Sequence, residues 1–191
     1  QSYRDMFIVK LRVLSDPQKL EPALAMMMEV ISNAVFKKNS INMSLSNLQT
    51  GQKQLQESPG RLMGIRFYRE IYGQHPYAEP VTGTNGSLKK ITTENLKQFR
   101  DKFIVAKNMN IAITGKLTAK EALKLSERIA GNIQQGEHAQ ALPNPEEKNT
   151  LNIVHMPYDS AQAHVMFGQI GTTRNDPDRL ALEIGNKLFG G

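Results

Sequence analysis

The stretch YGQHPYAEPVTGT, Tyr72 to Thr84, decides how this sequence is read. Thirteen residues hold two prolines, two glycines, two tyrosines and a histidine, so no helix or strand runs through it. Helical patterns flank it on both sides. Gly73 is placed to end the preceding helix. Pro76 and Pro80 hold the next residues extended. Gly83 and Thr84 turn the chain toward a helix starting near Thr92. His75 raises the question of chemistry, as a metal ligand or a base. A histidine hydrogen-bonded inside a shaped turn is the plainer reading. Gly83 to Gly86 resembles a nest of backbone N–H groups for an anion, although a turn leading into a helix is the commoner meaning.

Working outward, Phe7, Val9, Leu11 and Val13 alternate with polar or outward positions, the period of a half-buried strand. Asp16 and Pro17 open a helix whose buried stripe is Leu20, Leu24, Met27, Met28, Ile31 and Val35. The run Met26 to Met28 reads as core filler within that stripe. From Phe36 to about Gln56 the chain is polar, with a narrow apolar edge at Ile41, Leu45, Leu48 and Leu55. Pro59 starts a helix carrying Leu62, Ile65, Tyr68, Ile71 and Tyr72. Thr92 and Glu94 mark another, with Leu96, Phe99 and Phe103 inward.

Asn108 to Gly115, NMNIAITG, reads as a strand with Met109, Ile111 and Ile113 inward. Thr118 to Glu121 is a capping box at the head of a helix bearing Ala122, Leu125, Ile129 and Ile133. Gln134 to Asn149 has no periodicity. Two strand-like runs, TLNIVHM and AQAHVMFGQI, follow it, and then a helix opens at Asp176-Pro177 with Leu180, Ile184 and Leu188. The expected class is α+β, a mixed, mostly antiparallel sheet with helices packed on it.

The net charge of +6 comes from basic residues spread thinly over outer faces. Nucleic-acid binders carry a dense basic stripe with interleaved aromatics, so that class is not expected. No apolar run approaches a membrane span. With no cysteine, thiolate ligands, disulfides and cysteine nucleophiles are excluded together. His75, His138, His155 and His164 include no pair three to five residues apart, so no helical two-histidine zinc motif exists. His155 and His164 fall in neighbouring strand-like runs and could meet across a hairpin, but they have no evident carboxylate partner. His138 lies in the aperiodic segment and reads as solvated. No Gly-x-Ser-x-Gly elbow, P-loop or dinucleotide fingerprint is present.

The order of these features resembles the insulinase/pitrilysin family of zinc metallopeptidases, which includes the mitochondrial processing peptidases. Gly73-x-His75-Pro76-Tyr77-x-x-Pro80-x-x-Gly83-Thr84 is followed by SLKKITTENLKQF and by Asn108-Met109-x-Ile111-x-Ile113-x-Gly115. The tail AQAHVMFGQIGTTRNDPDRLALEIGNKLFGG resembles the start of the family's second domain. The resemblance implies a processing-peptidase-like metallohydrolase fold, incomplete at both ends of this sequence. It places the later part of the first domain at 1–141, a linker at 142–149, and the opening strand–strand–helix of the second domain at 150–191. That last segment is expected to complete the first domain, either within one chain or by exchange between two copies as a homodimer.

The family's zinc ligands are a His-x-x-Glu-His helix and a glutamate on a later helix. The first motif is absent from this sequence, and an active member would carry it upstream. The later helix usually bears an Arg-Glu pair followed by the ligand glutamate. Counted between Phe36 and Pro59, the pair falls on Met43 and Ser44, and the ligand glutamate falls on Gly51. The stretch NSINMSLSNLQTGQKQLQ contains no Asp or Glu, so a slip of one helical turn supplies no substitute.

The resemblance therefore implies a non-catalytic homologue or subunit that binds peptides or pairs with an active peptidase. It would hold no cofactor in this chain, whereas active members hold zinc, and it would not hydrolyse peptides alone. The alternative is a fragment of an active zinc metalloendopeptidase. His75, Pro76, Tyr77, Pro80, Gly83, Thr84, Asn108 and Gly115 then read as structural signature residues. The absence of cysteine and of a signal-like start leans to a bacterial periplasm or envelope, with cytoplasm and mitochondrion left open.

Overall fold

The computed structural model describes residues 1–190; Gly191, the last residue of the Leu-x-Gly-Gly ending, lies outside the described residues. Helix α1, Pro17–Ser32, begins where Asp16 accepts a hydrogen bond from the Gln18 N–H at 3.0 Å. Helix α2 is Lys38–Gln56 and α3 is Pro59–Tyr72, closed by Gly73, whose N–H donates to the Arg69 carbonyl. A 3-10 turn spans Pro76–Ala78. The single turn α4, Asn85–Leu88, is capped by Thr84, and α5, Thr93–Phe103, by Thr92. Helix α6 is Ala119–Gly131 and α7 is Arg179–Leu188. The Thr118–Glu121 capping box forms at the head of α6, with Glu121 accepting from the Thr118 N–H at 2.7 Å.

These elements fall into two units. One is Gln1–Gln54 with Pro80–Leu142, and the other is Leu55–Glu79 with Pro143–Gly191. The first holds Leu24, Leu88, Val105, Ile129 and Ile133 buried. In it the ends of α1 and α6 are tied by Ser32 Oγ donating to the Asn132 carbonyl at 2.7 Å. Arg128 pairs with Glu21 at 2.6 Å, which raises the guanidinium's pKa and lowers that of the carboxyl. Both side chains are open to water, so this pair orients the helices and adds little stability. In the second unit Ala78 is buried. Its segment after Pro143 follows α3 through Asn152 to Glu70 at 2.8 Å, Lys148 to the Glu70 carbonyl, and Tyr158 Oη to the Gln56 carbonyl at 3.0 Å.

The expected α+β class with an antiparallel sheet is corrected. Among the described residues no strand forms, and the only β-bridge is Ser2 with Phe7. Period-two alternation encodes which face is buried; a ladder also needs a neighbour for its N–H and C=O groups. Residues 1–8 fold back on themselves, with Ile8 N–H donating to the Gln1 carbonyl, and leave Phe7, Val9, Leu11 and Val13 exposed. Residues 109–113 stay extended with Met109, Ile111 and Ile113 half-buried between exposed neighbours, so the alternation is there without the ladder.

Other readings shift locally. Val35 and Met26 of the expected α1 stripe are exposed. On α5 and its cap the inner side is Leu96, Arg100 and Ile104, while the Phe99 and Phe103 rings meet at a tilt, 4.9 Å apart, on the outside. Pro76 opens a 3-10 turn where extended chain was expected, its fixed φ suiting the first position of a turn.

Candidate functional site

The site to examine is the helix on which the family's third ligand would stand. Helix α2 carries Ser44 and Gly51 seven residues apart, two turns along one side, and both are exposed. A Cβ added at Gly51 meets nothing within 4 Å, so no internal packing requires glycine there. Around these positions the helix offers Asn, Ser, Thr and Gln side chains and no carboxylate. Thr50 turns its hydroxyl back to the Ser46 carbonyl at 3.0 Å. No general base or metal ligand stands on this face.

One turn edge away the same helix buries a polar group. Gln52 is the one buried residue of α2, and its amide donates to the Gly83 carbonyl at 2.8 Å and to Thr82 Oγ1 at 3.3 Å. This ties α2 to the turn that ends the YGQHPYAEPVTGT stretch. Gly83 has φ +70, and a Cβ there would stand 2.9 Å from Ser87 Oγ, so both backbone and space demand glycine. Thr84 and Ser87 cap each other reciprocally: Thr84 Oγ1 accepts from the Ser87 N–H at 3.1 Å, and Ser87 Oγ accepts from the Thr84 N–H at 2.8 Å. Two of the four N–H groups of the expected nest, those of Gly83 and Thr84, are thus already engaged.

His75 lies in the other unit. Its Nδ1 accepts from the Tyr77 N–H at 3.1 Å, which fixes the proton on Nε2, and Nε2 donates to the Pro143 carbonyl at 2.9 Å. Both ring nitrogens are engaged, and the ring packs edge-on against Tyr77 at 4.8 Å and near Tyr72. Pro76 and Tyr77 form the 3-10 turn behind it, and Pro80 starts the turn that closes on Gly83. Asn108 binds at both ends of its amide, donating to the Phe103 carbonyl at 3.2 Å and accepting from the Ala139 N–H at 2.8 Å. Gly115 accepts from the Leu117 N–H where the extended segment turns toward α6.

The structure therefore brings Pro80, Gly83 and Thr84 together beside Gln52, and separately gathers His75, Pro76 and Tyr77. Asn108 and Gly115 hold other joints. His164 lies within 4 Å of where a Gly60 Cβ would sit. No group of three or more His, Asp or Glu side chains among the described residues is placed to hold a metal ion. The residues present do not fit zinc. Sequence reading missed Gln52 and the turn α4. Gln52 completes the inner spacing 41–45–48–52–55, and Thr84-x-x-Ser87 has the cap spacing, so both left a signal.

Residues 90–191 match the family profile described as the peptidase M16 inactive domain. An uncharacterized zinc protease of Rickettsia felis is 26% identical over 132 residues, which is 69% of this chain and 32% of the relative. Another of Mycobacterium leprae is 26% identical over 142 residues, 71% of this chain and 31% of the relative. The chain thus spans about a third of the length of these curated relatives. A crystal structure of a peptidase M16 inactive domain from Pseudomonas fluorescens superposes with a TM-score of 0.80 at 28% identity, covering 93% of this chain and 43% of that one. The zinc proteases among these relatives point to zinc in active members, while α2 here presents Gly51. The profile match over more than half of the sequence and the close superposition point the same way: the chain belongs to the insulinase-like peptidases of family M16, and its residues 90–191 match that family's inactive domain.

Proposed function

We propose that this protein serves beside an active zinc peptidase, as a non-catalytic subunit that pairs with it or holds its peptide substrate. One observation carries the reading. The position of the ligand glutamate is Gly51, on a helix with no acidic side chain from Lys38 to Gln56. A zinc-activated water needs ligands and a base, and this chain supplies no such set. Support for a partner comes from residues after Pro143, where Leu151, Ile153, Val165 and Phe167 are each more than 80% exposed. Large apolar side chains this open favour a surface that is covered in an assembly. Residues 150–191 are read here as the opening of a second domain, after 1–141 and the linker 142–149. They would be covered by another domain, by a second copy through exchange, or by the active subunit. A bacterial envelope location belongs to the same proposal and rests on the absence of cysteine. No helix is long and apolar enough to cross a membrane among the described residues.

The test is co-expression with an active peptidase of the same family. A stoichiometric complex on size exclusion, weakened by Phe167→Ser and accompanied by a changed kcat/KM for peptides, is expected. Peptide cleavage by this chain alone would overturn the proposal. The naming of relatives as zinc proteases favours a second reading, in which the chain is part of an active zinc metalloendopeptidase. Metal-dependent cleavage by the full-length protein without a partner would select that reading.

A further inference from the structure

Helix α2 is fastened differently from its neighbours. Helix α6 and the residues after it bury Ile129 and Ile133, and α1 buries Leu24. Helix α2 has one buried residue, Gln52, which is polar and held through its amide to the Thr82–Gly83 turn. Its apolar edge, Ile41 and Leu45, is half-buried, and Leu48 is exposed. A side-chain hydrogen bond that is part-buried is exchangeable for one to water, whereas buried aliphatic groups have no such substitute.

The other end of α2 is a strained joint. Phe36, in the linker between α1 and α2, has φ +50, and it is the sole non-glycine with positive φ among the described residues. A bulky residue keeps that conformation only where its surroundings enforce it. Here they do. The Arg100 guanidinium lies 5.7 Å over the Phe36 ring and donates to the Ala34 carbonyl at 3.0 Å, two residues earlier in the same linker. Arg100 is itself oriented by Asp101 at 2.7 Å. Phe36 and the Arg100 contacts make a latch at the hinge, and Gln52 makes a second latch some sixteen residues further on.

We infer that α2 is the switching element of the first unit: its residues Lys38–Gln54 open locally next to Phe36, on release of the Gln52–Gly83 latch, while α1, α5 and α6 stay folded. Such a sub-global opening sits at the low-stability end of the fold, where helices that respond to ligands and partners are found. The neutral Ser44–Gly51 side moves with it, so a partner that grips that side in one position biases the switch. This holds whether the protein is a partner subunit or part of an active peptidase.

Amide hydrogen exchange on the 191-residue chain tests it, followed residue by residue at several low denaturant concentrations. Amides of α2 are expected to exchange faster than those of α6 and with a smaller dependence on denaturant, the mark of a limited opening. Gln52→Met should raise α2 exchange about tenfold, through loss of the part-buried bonds to Gly83 and Thr82, and leave α6 unchanged. Arg100→Lys, which keeps charge without the planar fork, should raise it less, in the same residues. One shared rate and denaturant slope for α2 and α6 in the unmodified chain would overturn the inference. Equal acceleration of both helices in Gln52→Met would overturn it as well.

Discussion

The two units bury their apolar residues to different degrees. In the unit of Gln1–Gln54 and Pro80–Leu142, Leu24, Leu88, Val105, Ile129 and Ile133 are buried where helices and caps converge. In the unit of Leu55–Glu79 and Pro143–Gly191, α3 and the 3-10 turn make an aromatic cluster. There Tyr68 stacks on Tyr72 at 5.6 Å and Tyr72 meets Tyr77 edge-on at 5.6 Å, while most later apolar residues face solvent. The first unit combines a buried apolar set with exposed residues such as Phe7, Val35 and Phe99, whereas the second exposes its later apolar side chains further, with Leu151, Ile153, Val165, Phe167, Leu188 and Phe189 each above 80%. That difference is what makes the second unit the place to look for a partner.

Substitutions sharpen the contrast, and the largest effect belongs to the first unit. Gly136 has φ +58, and a Cβ there would stand 2.4 Å from Val105, the most deeply buried side chain. Gly136→Ala should cost about 3 kcal/mol in chemical denaturation, from left-handed strain and overpacking together. Thr118→Ala should cost about 1 kcal/mol by removing the α6 cap. The Glu121 carboxyl is held below its ordinary value, first by the Thr118 N–H and then by the Thr118 hydroxyl. With the folded value below the unfolded one, its contribution is complete above the ordinary carboxylate range and is lost as pH falls through the folded value. Acid titration of the thermal midpoint should show that limb, and Glu121→Gln should remove it. A smaller effect, of opposite sign, is expected on α2, where Gly51→Ala should add about 0.5–1 kcal/mol because only helix propensity changes. The smallest belongs to the second unit. Phe167→Ser, at a side chain 85% exposed, should change the isolated chain's stability by less than about 0.5 kcal/mol. A large loss there would show that the second unit depends on this side chain and would break the comparison.

Helices were legible because their signals are local: Asp16-Pro17, Thr92 and Thr118 each place an oxygen where free N–H groups need one. The sheet was misread because alternation in Phe7–Val13 or Met109–Ile113 reports burial of a face and is silent about who pairs with the backbone. On α5 the inner side follows Arg100, a charged residue that linear reading assigns to solvent, which displaced Phe99 to the outside. Around the candidate site the sequence located the absence at Gly51 but passed over its neighbour Gln52, since a glutamine in a polar helix draws attention only when placed in register with Ile41, Leu45, Leu48 and Leu55. The family was legible because its motifs sit in turns, where residue identity is dictated by backbone geometry, as at Gly83.

The central proposal is that Gly51 leaves this protein without the metal site of active family members. Zinc stoichiometry of the full-length protein tests it most directly, measured by elemental analysis after dialysis against a weak chelator, with Gly51 intact and with Gly51→Glu. The account predicts no tightly held zinc with Gly51 intact, and zinc retained in Gly51→Glu only where upstream histidines complete a site. One tightly bound zinc per chain in the unmodified protein would contradict it.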